Sequence, residues 1–512
     1  MAKYDDIIDK IIINKKEKDK WNYQSRGELH LSDGQVIKPL GLEPLYWLRP
    51  LRIAKHPNEN IYAYASSKSN GIKDDMTSCI CLYYPENETK GRSFHKIKNY
   101  SNHGFDYKPA FSPNGKWLAF ISEEEYGKIS LEGNLMIAAF YETPKDVVYN
   151  LGMKSIRIKE FQWLNDNTIL AEYKYKGYSK VCAISFNPEK PSNIISVTQI
   201  GNLNLSPKIE RGGSLIANGF HFSTDSTVSF DKFSLGRVEH CEYTTKDGIG
   251  SFYWFAHPNP RNNHGRTILL CQGGPHHAWE PEIESGTYHI PLLQHLGYSI
   301  IMPIVRGMSG ITKAFDDQVR GDWGGMCIQD YMAALDTAIE KFNLDKDNVA
   351  LLGHSFGGFC SYSINVQFPE RFCCFVSESG PFNLELLRKY CLEVDETTKN
   401  VRNLTMKSEL FDGLANENGE AVMKRMIETQ SPHLLIQNST PKPILIIHGK
   451  KDIIVPVSQA EEAENAFKSK GISCIYKPYN NDSHVIINNQ KDRYKTILEF
   501  LDSYMKPALM KI

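Results

Sequence analysis

A chain of 512 residues exceeds the size at which a single hydrophobic core stops growing, so two or three domains are expected. Its 41% apolar and 23% charged residues are those of an ordinary globular protein and argue against long-range disorder, a collagen-like repeat or a coiled-coil rod. With 59 basic against 60 acidic residues the net charge is -1, so no global field draws nucleic acid or an anionic membrane, and neither is expected as a partner.

Residues 1–44 read as an N-terminal helical or extended segment. The apolar stretch within MAKYDDIIDKIIINKKEKDKW is too short and too interrupted by charge for a signal-peptide core, and no later run approaches the roughly 18 residues of a membrane span. A cytoplasmic protein is expected. Of the 11 cysteines only Cys373-Cys374 are adjacent and none makes a C-x-x-C pair, which suits free buried thiols better than a zinc or redox site.

From 45 to 240 short alternating apolar runs are broken by Asn, Asp, Gly and Pro, the pattern of antiparallel strands and tight turns. The run Pro109–Ser122 reads as a strand, an Asn-Gly turn and a second strand burying Trp117, Ala119 and Ile121 or the opposite set. Weaker echoes stand at Ile53–Tyr64, Phe161–Leu170 and Pro207–Ala217. A unit recurring at roughly 50 residues suggests propeller blades, of which this stretch holds about four or five, with the hairpins of a β-sandwich as the alternative.

Around Val238–Gly248 the grammar changes, and 241–512 alternates buried strands with amphipathic helices. Strands are predicted at Thr267–Cys271, Tyr298–Ile304, Val349–Leu352, Cys373–Val376 and Ile444–Ile447, and helices near 328–342, 356–368, 458–470 and 491–505. This is the pattern of a doubly wound α/β domain with an α/β-hydrolase arrangement, whose sites lie at the carboxyl ends of the strands. Residues 383–430 show no clear strand and are expected to insert helices over that edge.

Directly after the strand at Val349 comes Gly353-His354-Ser355-Phe356-Gly357-Gly358, and then a helical stretch. Flanking glycines allow a strand to turn sharply into a helix and hold a serine hydroxyl above the sheet, so Ser355 is the expected nucleophile. In this fold the orienting acid and the base follow the serine in that order. Asp452 follows the strand ending at Ile447, and His484 follows a strand at Ser473–Tyr479, so the two loops can meet above Ser355. Asp482 is a reserve acid, and His448 is expected to pack under the acid loop. The backbone N–H of Phe356 and that of Gly274, in Gln272-Gly273-Gly274-Pro275, are the expected oxyanion donors. The adjacent His276 and His277 point in different directions with no third ligand evident, so no metal and no cofactor are expected.

These residues together resemble the prolyl oligopeptidase family of serine peptidases, and within it the acylaminoacyl-peptidase-like branch. The resemblance covers most of the chain. It rests on Gly353–Gly358, Gln272–Pro275, Val305-Arg306-Gly307, Gly321-Asp322-Trp323-Gly324-Gly325, Ser431-Pro432, the Asp452 and His484 loops, and the blade-like run at 112–120. It implies hydrolysis of short peptides through an acyl-enzyme on Ser355, with a propeller restricting access. Arg306 and Asp322 match family positions and are expected in a structural ion pair behind the site. Gln272 stands where the family usually has His, and four or five blades fall short of the family's seven or eight. A shortened propeller leaves the site more open or has it covered by a second copy, so a homo-oligomer is one expectation.

An esterase or acyltransferase uses the same triad on another acyl group and is the alternative function. A non-catalytic interaction protein is disfavoured by three triad residues in order. No glutamate pair stands in a recognisable amine-binding motif, so the sequence does not support dipeptidyl specificity.

Overall fold

The structure, a computed structural model, describes residues 29–30, 36–37, 53–67, 78–84, 105–123, 133–140, 148–151, 157–176, 178–202, 214–217, 220–223, 237–279, 288–392 and 419–506. Contacts divide the chain into two units: Met1–Lys20, Leu205–Tyr390 and Asn416–Ile512 form one, and Trp21–Asn204 with Cys391–Ala415 the other.

The second unit holds antiparallel meanders in chain order. Ala54–Lys55, Tyr62–Ser67 and Ser78–Tyr83 form a three-stranded sheet. Phe105–Phe111, Trp117–Glu123, Asn134–Ala139 and Val148–Asn150 form a four-stranded one, as do Ile158–Asn165, Thr168–Tyr175, Tyr178–Asn187 and Lys190–Asn202. The run Pro109–Ser122 and its echoes Ile53–Tyr64 and Phe161–Leu170 each fall in the opening hairpin of one sheet. Their turns interlock: Asn114 N–H donates to Asp166 Oδ1 at 2.9 Å, and His56 Nε2 lies 3.1 Å from the Gly115 carbonyl. Gly115 has φ +75°, and a Cβ there would come within 2.2 Å of His56 Nε2, so the turn admits only glycine.

The second hairpin strand departs from its alternating pattern. All seven residues of Trp117–Glu123 are buried, not one set of alternate positions. Both faces are covered, because the core joins Trp117, Ala119 and Ile121 as well as Leu118 and Phe120 with Ile80 of the preceding sheet and Phe161 and Phe186 of the following one. Among the described residues these sheets form no closed propeller. The echo at Pro207–Ala217 falls mostly outside the described residues; of it, Ser214–Ala217 pairs with Phe220–Ser223. Of residues 1–44 only Leu29–His30 and Val36–Ile37, paired with each other, are described.

The other unit is built on eight strands: β1 (Val238–Thr244), β2 (Gly250–Ala256), β3 (Thr267–Cys271), β4 (Ser299–Pro303), β5 (Val349–His354), β6 (Cys374–Glu378), β7 (Ile444–Gly449) and β8 (Cys474–Tyr479). They lie in the order β1-β2-β4-β3-β5-β6-β7-β8, antiparallel at the first two pairings and parallel thereafter. β1 spans the 240/241 position. Every residue of β3 to β7 is buried, as a parallel sheet with helix-covered faces requires.

The longer helices are α1 (Met326–Phe342), α2 (Phe356–Gln367), α3 (Leu384–Leu392), α4 (Gly419–Gln430), α5 (Ser458–Ser469) and α6 (Gln490–Tyr504). α3 and α4 occupy the ends of the stretch expected to insert helices; 393–418 lie outside the described residues. All 11 cysteines are thiols, eight of them buried. Among the described residues no helix is long and apolar enough to cross a membrane.

Candidate active site

β5 passes into α2 through one strained residue. Ser355 has φ +59° and ψ -121°, a conformation that costs a non-glycine residue about 1–3 kcal/mol and persists only where its surroundings enforce it. The enforcement is visible: Ser355 N–H donates to the Glu378 carbonyl at 2.8 Å. The flanking glycines are obligatory, since a Cβ on Gly353 would lie 1.9 Å from the Gly357 carbonyl oxygen and one on Gly357 2.1 Å from that of Cys271. The turn thus presents Ser355 at the amino end of α2, with Phe356 as the first helical residue.

The loops after β7 and β8 bring their residues to this serine. His484 Nε2 lies 2.8 Å from Ser355 Oγ, and His484 Nδ1 lies 2.8 Å from Asp452 Oδ2. A carboxylate only accepts, so Nδ1 carries the hydrogen and Nε2 is free to take the serine proton. Asp452 is buried, and its Oδ1 accepts from the Ile454 and Val455 amides at 2.8 and 3.0 Å. Burial pushes its pKa up, but the charge and hydrogen bonds of His484 and His448 outweigh this and hold the carboxyl below its usual range.

His448 packs under the acid loop, fully buried, with Nε2 2.9 Å from the Val455 carbonyl and 3.2 Å from Asp452 Oδ2. Asp482 bonds within its own loop. Its Oδ1 accepts from the Ile487 and Asn488 amides at 2.8 and 2.7 Å, and its Oδ2 from Asn489 Nδ2 at 2.5 Å, so it pins the loop that carries His484. The glycine loop runs beside the nucleophile: a Cβ on Gly273 would sit 3.4 Å from Ser355 Cβ, and Gly274 follows with φ +129°. His276 pairs with buried Asp316. Among the described residues no group of three or more His, Cys, Asp or Glu could hold a metal.

Arg306 and Asp322 do not pair with each other. Arg306 binds buried Asp330 through Nε at 2.8 Å and Nη2 at 2.9 Å, and reaches Asp247 at 2.8 Å. Asp322 instead accepts from the Met326 amide at 2.8 Å, opening α1, and from Gln430 Nε2 at 2.6 Å. The carboxylate that serves Arg306 projects from within α1, eight positions beyond Asp322, where nothing in the motif marks it.

Two supports escaped the sequence reading. Arg493 on α6 and Glu378 at the end of β6 form an almost fully buried ion pair, with Nη2 to Oε1 at 2.7 Å, behind the carbonyl that anchors Ser355. His354 is buried beside Ser355, its Nε2 2.8 Å from the His484 carbonyl. An Arg and a Glu 115 positions apart carry no local signal, and His354 occupies the unspecified place of the G-x-S-x-G pattern.

Residues 285–508 match the prolyl oligopeptidase family. Dipeptidyl-peptidase 5 of Porphyromonas gingivalis is 27% identical over 495 residues, which cover 91% of this chain and 67% of that protein. Among solved structures, an acylaminoacyl peptidase of Pyrococcus horikoshii aligns with a TM-score of 0.64 at 16% identity, over 92% of this chain and 74% of the other. A puromycin-hydrolyzing peptidase of Mycobacterium tuberculosis aligns with a TM-score of 0.61 at 14% identity, over 92% and 81%. At such identities the structural likeness speaks for the fold, an α/β-hydrolase domain with an N-terminal β domain.

Proposed function

We propose that the chain is a serine peptidase of the prolyl oligopeptidase family, whose model matches residues 285–508, and that it hydrolyses short peptides through an acyl-enzyme on Ser355. The observation that carries the mechanism is the continuous line from Ser355 Oγ to His484 Nε2 and from His484 Nδ1 to Asp452, each step 2.8 Å, ending on a serine held in a strained turn. His484 takes the hydroxyl proton as Oγ attacks the peptide carbonyl, and Asp452 stabilises the imidazolium. The N–H groups of Phe356 and Gly274 stabilise the oxyanion, a role supported by the start of α2 at Phe356 and by the approach of the glycine loop to Ser355. His484 returns the proton to the leaving amine, and water then repeats the sequence on the acyl-enzyme.

The N-terminal domain, 45–240, is a shortened propeller of about four or five blades in this reading, supported by successive meander sheets whose turns interlock. The catalytic domain takes 241–512. A cytoplasmic setting is supported by the buried thiols. The name of the P. gingivalis relative supports dipeptide release as the first specificity to assay.

A fluorophosphonate probe tests the chemistry: wild type labels and Ser355→Ala does not. No labelling of folded wild-type protein overturns the proposal. Dipeptidyl anilides with free amino termini, N-acylated aminoacyl anilides and short-chain nitrophenyl esters then separate the substrate classes. Turnover of the esters alone would make the protein an esterase.

A further inference from the structure

We infer that His354 is a positioning residue that holds the catalytic base in place through the main chain of His484. It rests on the proposed roles of Ser355 and His484 and adds a contact between their two loops. His354 ends β5 and is bonded to Ser355 directly, while its Nε2 lies 2.8 Å from the His484 carbonyl, 130 residues later in the chain. The strand that carries the nucleophile therefore also holds the backbone of the base. Asp482 fixes the far side of the same loop through the Ile487 and Asn488 amides. His484 is in this way held by Asp452 at its ring, by His354 at its carbonyl and by the Asp482 turn behind it.

The chemistry of the contact fixes the tautomer. A carbonyl oxygen only accepts, so Nε2 of His354 bears a hydrogen. His354 is buried, its ring centroid is 4.9 Å from that of His484, and the charged groups that act on it are His484, Arg493 and Asp452. Burial first, and the His484 charge second, bring its pKa down to about 3, so it donates while neutral. A neutral donor suits the position, because a cation there would oppose the imidazolium that forms on His484 during attack. Its other nitrogen, Nδ1, faces the glycine loop: a Cβ on Gly273 would stand 3.5 Å from it. The imidazole thus fills the space between the base loop and the loop of the second oxyanion donor.

Two substitutions separate the hydrogen bond from the shape. His354→Phe keeps a ring without the donor, and His354→Gln keeps an amide donor near the Nε2 position without the ring. In H354F, kcat falls by about tenfold or more with KM little changed, since a net neutral hydrogen bond and small misalignments of a base act on the chemical step. H354Q stays within about fivefold of wild type, the spread expected for imperfect donor geometry. Fluorophosphonate labelling rates follow the same order. His354→Leu serves as the donor-free variant if the phenylalanine does not fit. Wild-type kcat in a folded donor-free variant overturns the inference, and so does equal loss in the donor-free variant and H354Q, which would assign the site to packing alone. Failure of wild type to label at Ser355 would instead sink the catalytic proposal.

Discussion

Asp452 is buried yet ionised, and that combination depends on its partners. Two backbone amides and two imidazoles surround a carboxylate that burial alone would protonate. Asp452→Asn keeps the shape but lets the amide favour the wrong His484 tautomer, and kcat should fall by about 10³- to 10⁴-fold with little change in KM, as read from steady-state kinetics on a cleaved anilide. Because the carboxyl is held below its usual range, it stays ionised throughout neutral and mildly acidic pH. The acid limb of kcat/KM should then carry no ionisation of Asp452; a two-proton limb would contradict this. Ser355, Asp452 and His484 were legible in the sequence because the fold fixes their order and each follows a strand. The role of His354 and the partner of Arg306 were not: the contacts with His484 and Asp330 are chosen by folding, and no spacing rule links them.

At the scale of elements, the β5–α2 turn depends on closeness that only glycine allows. Gly353→Ala would drive a methyl group into the Gly357 carbonyl. The turn must open, and the variant should lose nearly all fluorophosphonate labelling together with a clear drop in melting temperature. α6 is tied to β6 by Arg493 and Glu378, both almost fully buried. Arg493→Met leaves the Glu378 carboxylate without its counter-charge and should destabilise the protein by about 3–5 kcal/mol in urea unfolding, whereas adding Glu378→Gln should recover part of the loss. The strands and helices of 241–512 were readable because continuous apolar runs and 3.6-residue periodicity are local properties. The sequence pattern predicts burial of one face of Trp117–Glu123, because alternation does not reveal that neighbouring sheets cover both faces.

For the whole molecule, His354 links catalysis to stability through pH. Its folded pKa is lowered to about 3, against about 6.5 for an unperturbed histidine. Above about pH 6.5 both folded and unfolded forms are neutral and its contribution is complete; below that the unfolded chain takes up a proton that the folded protein refuses. Stability should decline as pH falls from there toward about 3, by up to about 1.4 kcal/mol per pH unit relative to H354F. Equal pH slopes for the two proteins in chemical unfolding would show that His354 is protonated in the folded state. The sequence by itself determined that the chain needs more than one core, that its C-terminal half alternates strand and helix, and that a serine, an acid and a histidine follow three strands in catalytic order. Those features are written in composition, periodicity and motif order. Tertiary structure alone decided which acid meets Arg306, what holds the Ser355 turn, and which side chain anchors the base loop, because each is a contact between residues far apart in the chain whose partner is fixed only when the sheet assembles.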